Sequence, residues 1–133
     1  MTMTTLRPTA RTAIVTLLTV LLPASALALR LPHLKLKASF PAKDAVLTTS
    51  PDAVRLWLSE PADVPATRIT VKSAQNAIIA TAKPTRGTAV DAPLEAKFTT
   101  PPAAGRYTVT WKAMSKDGHV VNGTFGFTVK TAP

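Results

Sequence analysis

From residue 34 onward, hydrophobic and polar residues alternate almost without interruption. Leu34, Leu36 and Ala38 alternate with Lys35, Lys37 and Ser39. Val54, Leu56 and Leu58 alternate with Arg55, Trp57 and Ser59, and Ile69 and Val71 with Thr70 and Lys72. Leu94, Ala96 and Phe98 repeat the pattern, as do Tyr107, Val109, Trp111 and Ala113. Phe125, Phe127 and Val129 close it. A period of two places one side of each strand in a core and the other in water. The short apolar run Ala77 to Ala82 adds a further candidate strand.

Turn-forming residues separate the runs. Pro41 to Lys43, Ser50-Pro51-Asp52, Pro61 to Pro65, Pro84 to Gly87, Pro101-Pro102 and Asp117-Gly118 all interrupt the alternation. Most of the twelve prolines lie in these gaps, where they break no central ladder. Short strands with regular turn signals predict an all-β, immunoglobulin-like antiparallel Greek-key β-sandwich of about seven strands. The expected core is Leu56, Leu58, Ile69, Val71, Phe98, Tyr107, Val109, Trp111, Phe125, Phe127 and Val129. The run from Pro102 to Tyr107 has the form of a tyrosine corner, in which the phenol bonds back to the preceding loop.

The N-terminus breaks this pattern. Arg7 and Arg11 precede an apolar run from Ala13 to Leu22, and Ala24, Ser25, Ala26 and Ala28 follow. That order reads as a secretory signal peptide. The apolar run is shorter than the roughly 20 residues of a membrane span. Cleavage after Ala26 or Ala28 fits the small-residue rule, and the second is favoured. Residues 1–28 are then the signal, and residues 29–133 form one exported domain with no stable membrane insertion.

Composition narrows the chemistry. The chain has no cysteine, so disulfides, thiolate sites and cysteine nucleophiles are excluded. Removing Arg7 and Arg11 from sixteen basic residues leaves fourteen against seven acidic ones, a net charge of +7. With only 5% aromatic residues, stacking platforms are scarce, and nucleic acid is not an expected partner. Weak, nonspecific attraction to anionic lipid or cell-wall polymer fits the charge better.

Two histidines are present, His33 at the start of the first strand run and His119 in the turn before the last. Asp117 and His119 form an Asp-x-His pair, and in extended backbone such residues point to one side. Gly118 between them permits an unusual backbone angle. Glu60 ends the second strand run. Nitrogen and oxygen donors without sulfur suit Cu(II), and Zn(II) less distinctively. Met114, the one methionine outside the signal region, reads as a packing residue. The plainer reading is a solvated turn with a capping aspartate and an exposed histidine. No serine elbow, glycine-rich phosphate loop or HExxH is present, and no acid/base pair can be assigned, so an enzyme is not expected.

The stretch Gly105-Arg-Tyr-Thr-Val-Thr-Trp-Lys-Ala-Met-Ser-Lys-Asp-Gly-His-Val-Val-Asn-Gly-Thr-Phe-Gly-Phe-Thr-Val129 resembles the C-terminal signature of the CopC/PcoC copper-resistance family. His33-Leu-Lys-Leu-Lys-Ala-Ser-Phe-Pro-Ala and Arg55-Leu-Trp-Leu-Ser-Glu-Pro resemble its opening and its Ser-Glu-Pro strand. The resemblance implies a periplasmic seven-stranded sandwich that binds copper and supports copper tolerance or delivery. It implies His33, Asp117, His119 and Glu60 as Cu(II) ligands. An inner-membrane copper transport protein is the implied partner. The methionine-rich loop of some members is missing here, so no Cu(I) site is carried over.

One departure weakens the implied site. In the family the first histidine is terminal, and its amine helps to hold copper. Here Leu29-Arg30-Leu31-Pro32 precede His33, and Pro32 offers no amide N–H upstream. Weaker Cu(II) binding than in members with a terminal histidine is expected. Two alternatives stay open: a non-metal interaction module with a degraded site, and an oxygen-activating copper enzyme.

Overall fold

The strands form where the alternation is cleanest. In the computed structural model, which describes residues 33–131, nine strands and no helix occur among the described residues. They are β1 (Leu36–Phe40), β2 (Ala45–Leu47), β3 (Ala53–Leu58), β4 (Arg68–Ser73), β5 (Ile78–Ile79), β6 (Thr85–Arg86), β7 (Leu94–Lys97), β8 (Gly105–Met114) and β9 (Val120–Val129). One sheet has the order β1-β3-β7-β6, and the other β2-β9-β8-β4-β5. The expected signal peptide and its cleavage site lie outside the described residues.

The two sheets enclose one core. β8 buries Tyr107, Val109, Trp111 and Ala113 while its alternate residues face water. β9 contributes Phe125, Phe127 and Val129, and β4 contributes Ile69 and Val71. From the smaller sheet come Val54, Leu56, Leu94 and Ala96. Burying side chains of this size contributes roughly 1.5–3 kcal/mol each, so the packed faces hold the sheets together without a disulfide. The tyrosine corner forms: the Tyr107 hydroxyl donates to the Ala103 carbonyl at 2.7 Å. The Tyr107 ring stacks on Phe127 with centroids 5.2 Å apart.

The structure differs from the expected pattern in several places. Three strands have only two or three residues, which raises the count to nine. β2 pairs with β9 in parallel, so the larger sheet is mixed. β1 has a register irregularity between Leu36 and Ala38, so Ala38 is exposed and Phe40 half-buried. An irregularity of this kind reverses the side-chain parity beyond it. Leu58 and Phe98 pack at the margin of the core. Leu34, Leu94 and several alanines are fully inside instead. Alanine sits as readily on a surface as in a core, so alternation alone ranks it poorly.

Candidate metal centre

The turn between β8 and β9 sets the geometry of the Asp-x-His pair. Ser115 N–H donates to the His119 carbonyl at 2.9 Å, and Gly118 N–H donates to the Ser115 carbonyl at 3.0 Å. Only Lys116, Asp117 and Gly118 lie between the paired residues. Gly118 has a φ of 89°, the left-handed region that a three-residue hairpin requires at its last position. A side chain there would strain the backbone even though the space is open.

This turn brings Asp117 and His119 together. His119 Nδ1 lies 2.8 Å from Asp117 Oδ2. The Ser115 hydroxyl donates to Asp117 Oδ1 from a side chain that is almost fully buried. The Ser115 contact, and after it the His119 contact, hold the Asp117 carboxyl down at about 2 against an ordinary value of 3.8. At neutral pH that carboxylate can only accept, so Nδ1 carries the proton. In the neutral ring the lone pair is then on Nε2. A carboxylate that fixes the tautomer of a ligating histidine is a recurrent feature of metal sites.

His33 reaches the same end from the other sheet. Leu34, next to it, is buried in the core. The Ser59 hydroxyl accepts from Lys35 N–H at 2.8 Å and is 3.4 Å from the His33 carbonyl. Ser59 N–H donates to the Lys35 carbonyl at 2.8 Å. These contacts leave the His33 ring exposed and edge-on to His119, with centroids 6.2 Å apart and planes at 77°. Metal–nitrogen bonds of about 2.0 Å allow two imidazoles on one ion to have centroids up to about 6.4 Å apart. The observed spacing lies just inside that limit, which only a near-linear N–metal–N arrangement reaches.

Glu60 is placed differently. It is half-buried and lines a cleft of about 230 Å³ with Lys37, Trp57, Arg86 and Asp91. Among the described residues no hydrogen bond or ion pair links its carboxylate to either histidine. The backbone beyond it does join the hairpin: Ala62 bridges Ser115, and Asp63 N–H donates to the Met114 carbonyl at 2.8 Å. Met114 is half-buried and lines a separate open hollow with Ala62, Asp63, Val64, Pro65, Ser115 and Lys116. Among the described residues no three His, Asp or Glu side chains converge closely enough to hold an ion as they are placed. The structure thus brings together His33, His119 and Asp117 in a chain of contacts and leaves Glu60 aside. Ser115 and Ser59 were not singled out from sequence. Their signal was position, one two residues before the aspartate and the other directly before Glu60.

Comparison with known proteins identifies the family and the fold. The CopC domain family matches residues 36–130, most of the chain. The chain belongs to the CopC family. Among solved structures, the chain is similar to CopC from Methylosinus trichosporium OB3b at 22% identity and a TM-score of 0.70. That match covers 76% of this chain and 97% of the other. It is also similar to PcoC, a methionine-rich copper resistance protein from Escherichia coli, at 28% identity and a TM-score of 0.65. Here 74% of this chain and 99% of that one are covered. No curated protein sequence matches. The CopC match begins at Leu36, so His33 lies just outside it.

Proposed function

We propose that this CopC-family protein binds Cu(II) between His33 and His119 and acts as a periplasmic carrier or buffer in copper tolerance. The observation that carries this reading is the 6.2 Å spacing of the two exposed rings beside a tautomer-fixing carboxylate. Imidazole and carboxylate donors without sulfur match Cu(II). His119 offers Nε2. Asp117 orients that ring, and it becomes a direct ligand only by releasing the Nδ1 proton contact. Glu60 joins only after its side chain leaves the cleft. The family and the copper-resistance relative support the copper assignment, while the carrier role and export are inferred from the sequence. With no amine at His33, the site is weaker than one built on a terminal histidine. An inner-membrane copper transport protein is the proposed recipient, and no catalytic step is assigned.

Competition titration of Cu(II) against a chelator tests this directly. The wild type should bind one equivalent, and His119→Ala should lose it. Unchanged binding in His119→Ala would remove the site assignment. A second reading, an interaction module with a degraded site, is favoured by the lack of three converging ligands. It predicts a folded protein that takes up no copper at all.

A further inference from the structure

The outer faces of both sheets carry cations, Lys37, Arg55 and Lys97 among them on the smaller one, but only there does a carboxylate on the same strands offset them. On the smaller sheet, Arg55 pairs with Glu95 at 2.6 Å and with Asp52 at 2.7 Å. On the larger sheet, β4, β8 and β9 contain no acidic residue. Their water-facing positions carry Arg68, Lys72, Arg106 and Lys112, all exposed, set among threonines. Arg68 stands directly opposite Lys112 in the ladder, and Lys72 is diagonal to Arg106. Like charges placed directly opposite each other destabilise a sheet. Arg68 is held by its own turn, its Nη1 donating to the Pro65 and Thr67 carbonyls, while Lys72, Arg106 and Lys112 have no such side-chain partner among the described residues. Asp44, just before β2, donates its N–H to the Gly126 carbonyl and lines a shallow hollow with Val46, Arg106 and Thr128, so one carboxylate borders this face.

Exposed aliphatic side chains gather on the same face. Val46, Ile78 and Val120 are three of the four large hydrophobics exposed among the described residues. Register puts each on this side: Val46 beside Thr128, Ile78 beside Lys72, and Val120 beside Met114. They occupy separate corners, with cations and threonines between them. A protein–protein interface has the reverse plan, an apolar centre inside a polar rim. A bilayer surface suits this plan, because anionic headgroups meet cations anywhere and each aliphatic side chain enters on its own.

We propose that the outer face of the β2-β9-β8-β4-β5 sheet is a docking surface for anionic phospholipid bilayers, independent of the copper site. The test is vesicle co-sedimentation of the purified protein with phosphatidylglycerol or phosphatidylcholine vesicles. Binding to phosphatidylglycerol should exceed binding to phosphatidylcholine by at least about tenfold and weaken at about 0.5 M salt. Each cation near an anionic surface contributes about fivefold in affinity, so Lys72→Gln with Arg106→Gln should lower binding about 25-fold. Ile78→Asp should weaken it as well. Lys83→Gln with Lys97→Gln, which removes the same charge away from this face, should change binding by no more than about twofold. Copper affinity should be unaffected in every variant. Equal losses in the two double variants would overturn the proposal, since net charge alone would explain them. Absence of phosphatidylglycerol binding alongside salt-sensitive retention on immobilised polyglutamate would overturn it too, in favour of an acidic protein partner.

Discussion

The two histidines reach one end of the sandwich by different routes, and the difference decides how firmly each is held. His119 is placed by its own hairpin. Ser115, Asp117, Gly118 and His119 lie within five consecutive residues and bond to one another, so the ring is oriented as soon as β8 and β9 pair. His33 depends on contacts across the fold. Its carbonyl and the Lys35 amide meet Ser59, 26 and 24 residues away. His33 is held instead by the buried Leu34 beside it and by Ser59 on the neighbouring strand run, while the hairpin needs nothing beyond its own residues.

The largest expected effect is on the hairpin side. His119→Ala should weaken Cu(II) binding by about 100-fold or more, read by chelator competition, because it removes the one oriented lone pair. Asp117→Ala should cost about 10- to 100-fold through loss of tautomer control. Asp117→Asn sharpens the role: a carboxylate that only orients the ring allows partial retention, while a direct ligand does not. Gly118→Val should destabilise the protein by about 1–3 kcal/mol in thermal unfolding and loosen the pair, because a branched residue cannot adopt its φ without strain.

A smaller effect follows from Ser115. Its hydroxyl is the leading cause of the low Asp117 value, so Ser115→Ala should raise that value from about 2 towards 3.8 in an NMR titration. The sign for stability follows. A carboxyl with a lowered folded value helps the fold above its ordinary 3.8 and loses that help as pH falls towards 2. Ser115→Ala should therefore flatten the acid limb of stability between those values. Any copper held by these imidazoles should be released as they protonate, because neutral imidazole is the binding form. The smallest change belongs to the His33 side. Ser59→Ala should lower copper affinity about two- to threefold by freeing His33, at the low end of hydrogen-bond contributions. The hairpin contacts should survive it, as seen in the Asp117 and His119 resonances.

The same contrast marks what could be read from the residues. The long strands β8 and β9, the buried faces of β3, β4 and β7, and the tyrosine corner follow from local alternation and a local hydrogen bond. The Asp-x-His pair was visible for the same reason, because a single residue, Gly118, separates its members. Features set by distant contacts were not visible. The irregularity in β1 arises where that strand meets β3, and the parallel pairing of β2 depends on β9, far along the chain. Glu60 has the right chemistry and position in the chain, but the backbone after it turns to join Ser115 while its side chain lines a neighbouring cleft. The buried serine behind Asp117 carries no charge, and only its place two residues before the aspartate pointed to it.

The shared ion between the two rings is tested most directly by Cu(II) titration of the wild type, His33→Ala and His119→Ala, followed by electron paramagnetic resonance. One equivalent in the wild type, a nitrogen hyperfine pattern that simplifies in either variant, and a loss of affinity in both is the predicted result. A spectrum and affinity left unchanged by His33→Ala, or two equivalents of which each variant removes one, would show that the rings do not share an ion.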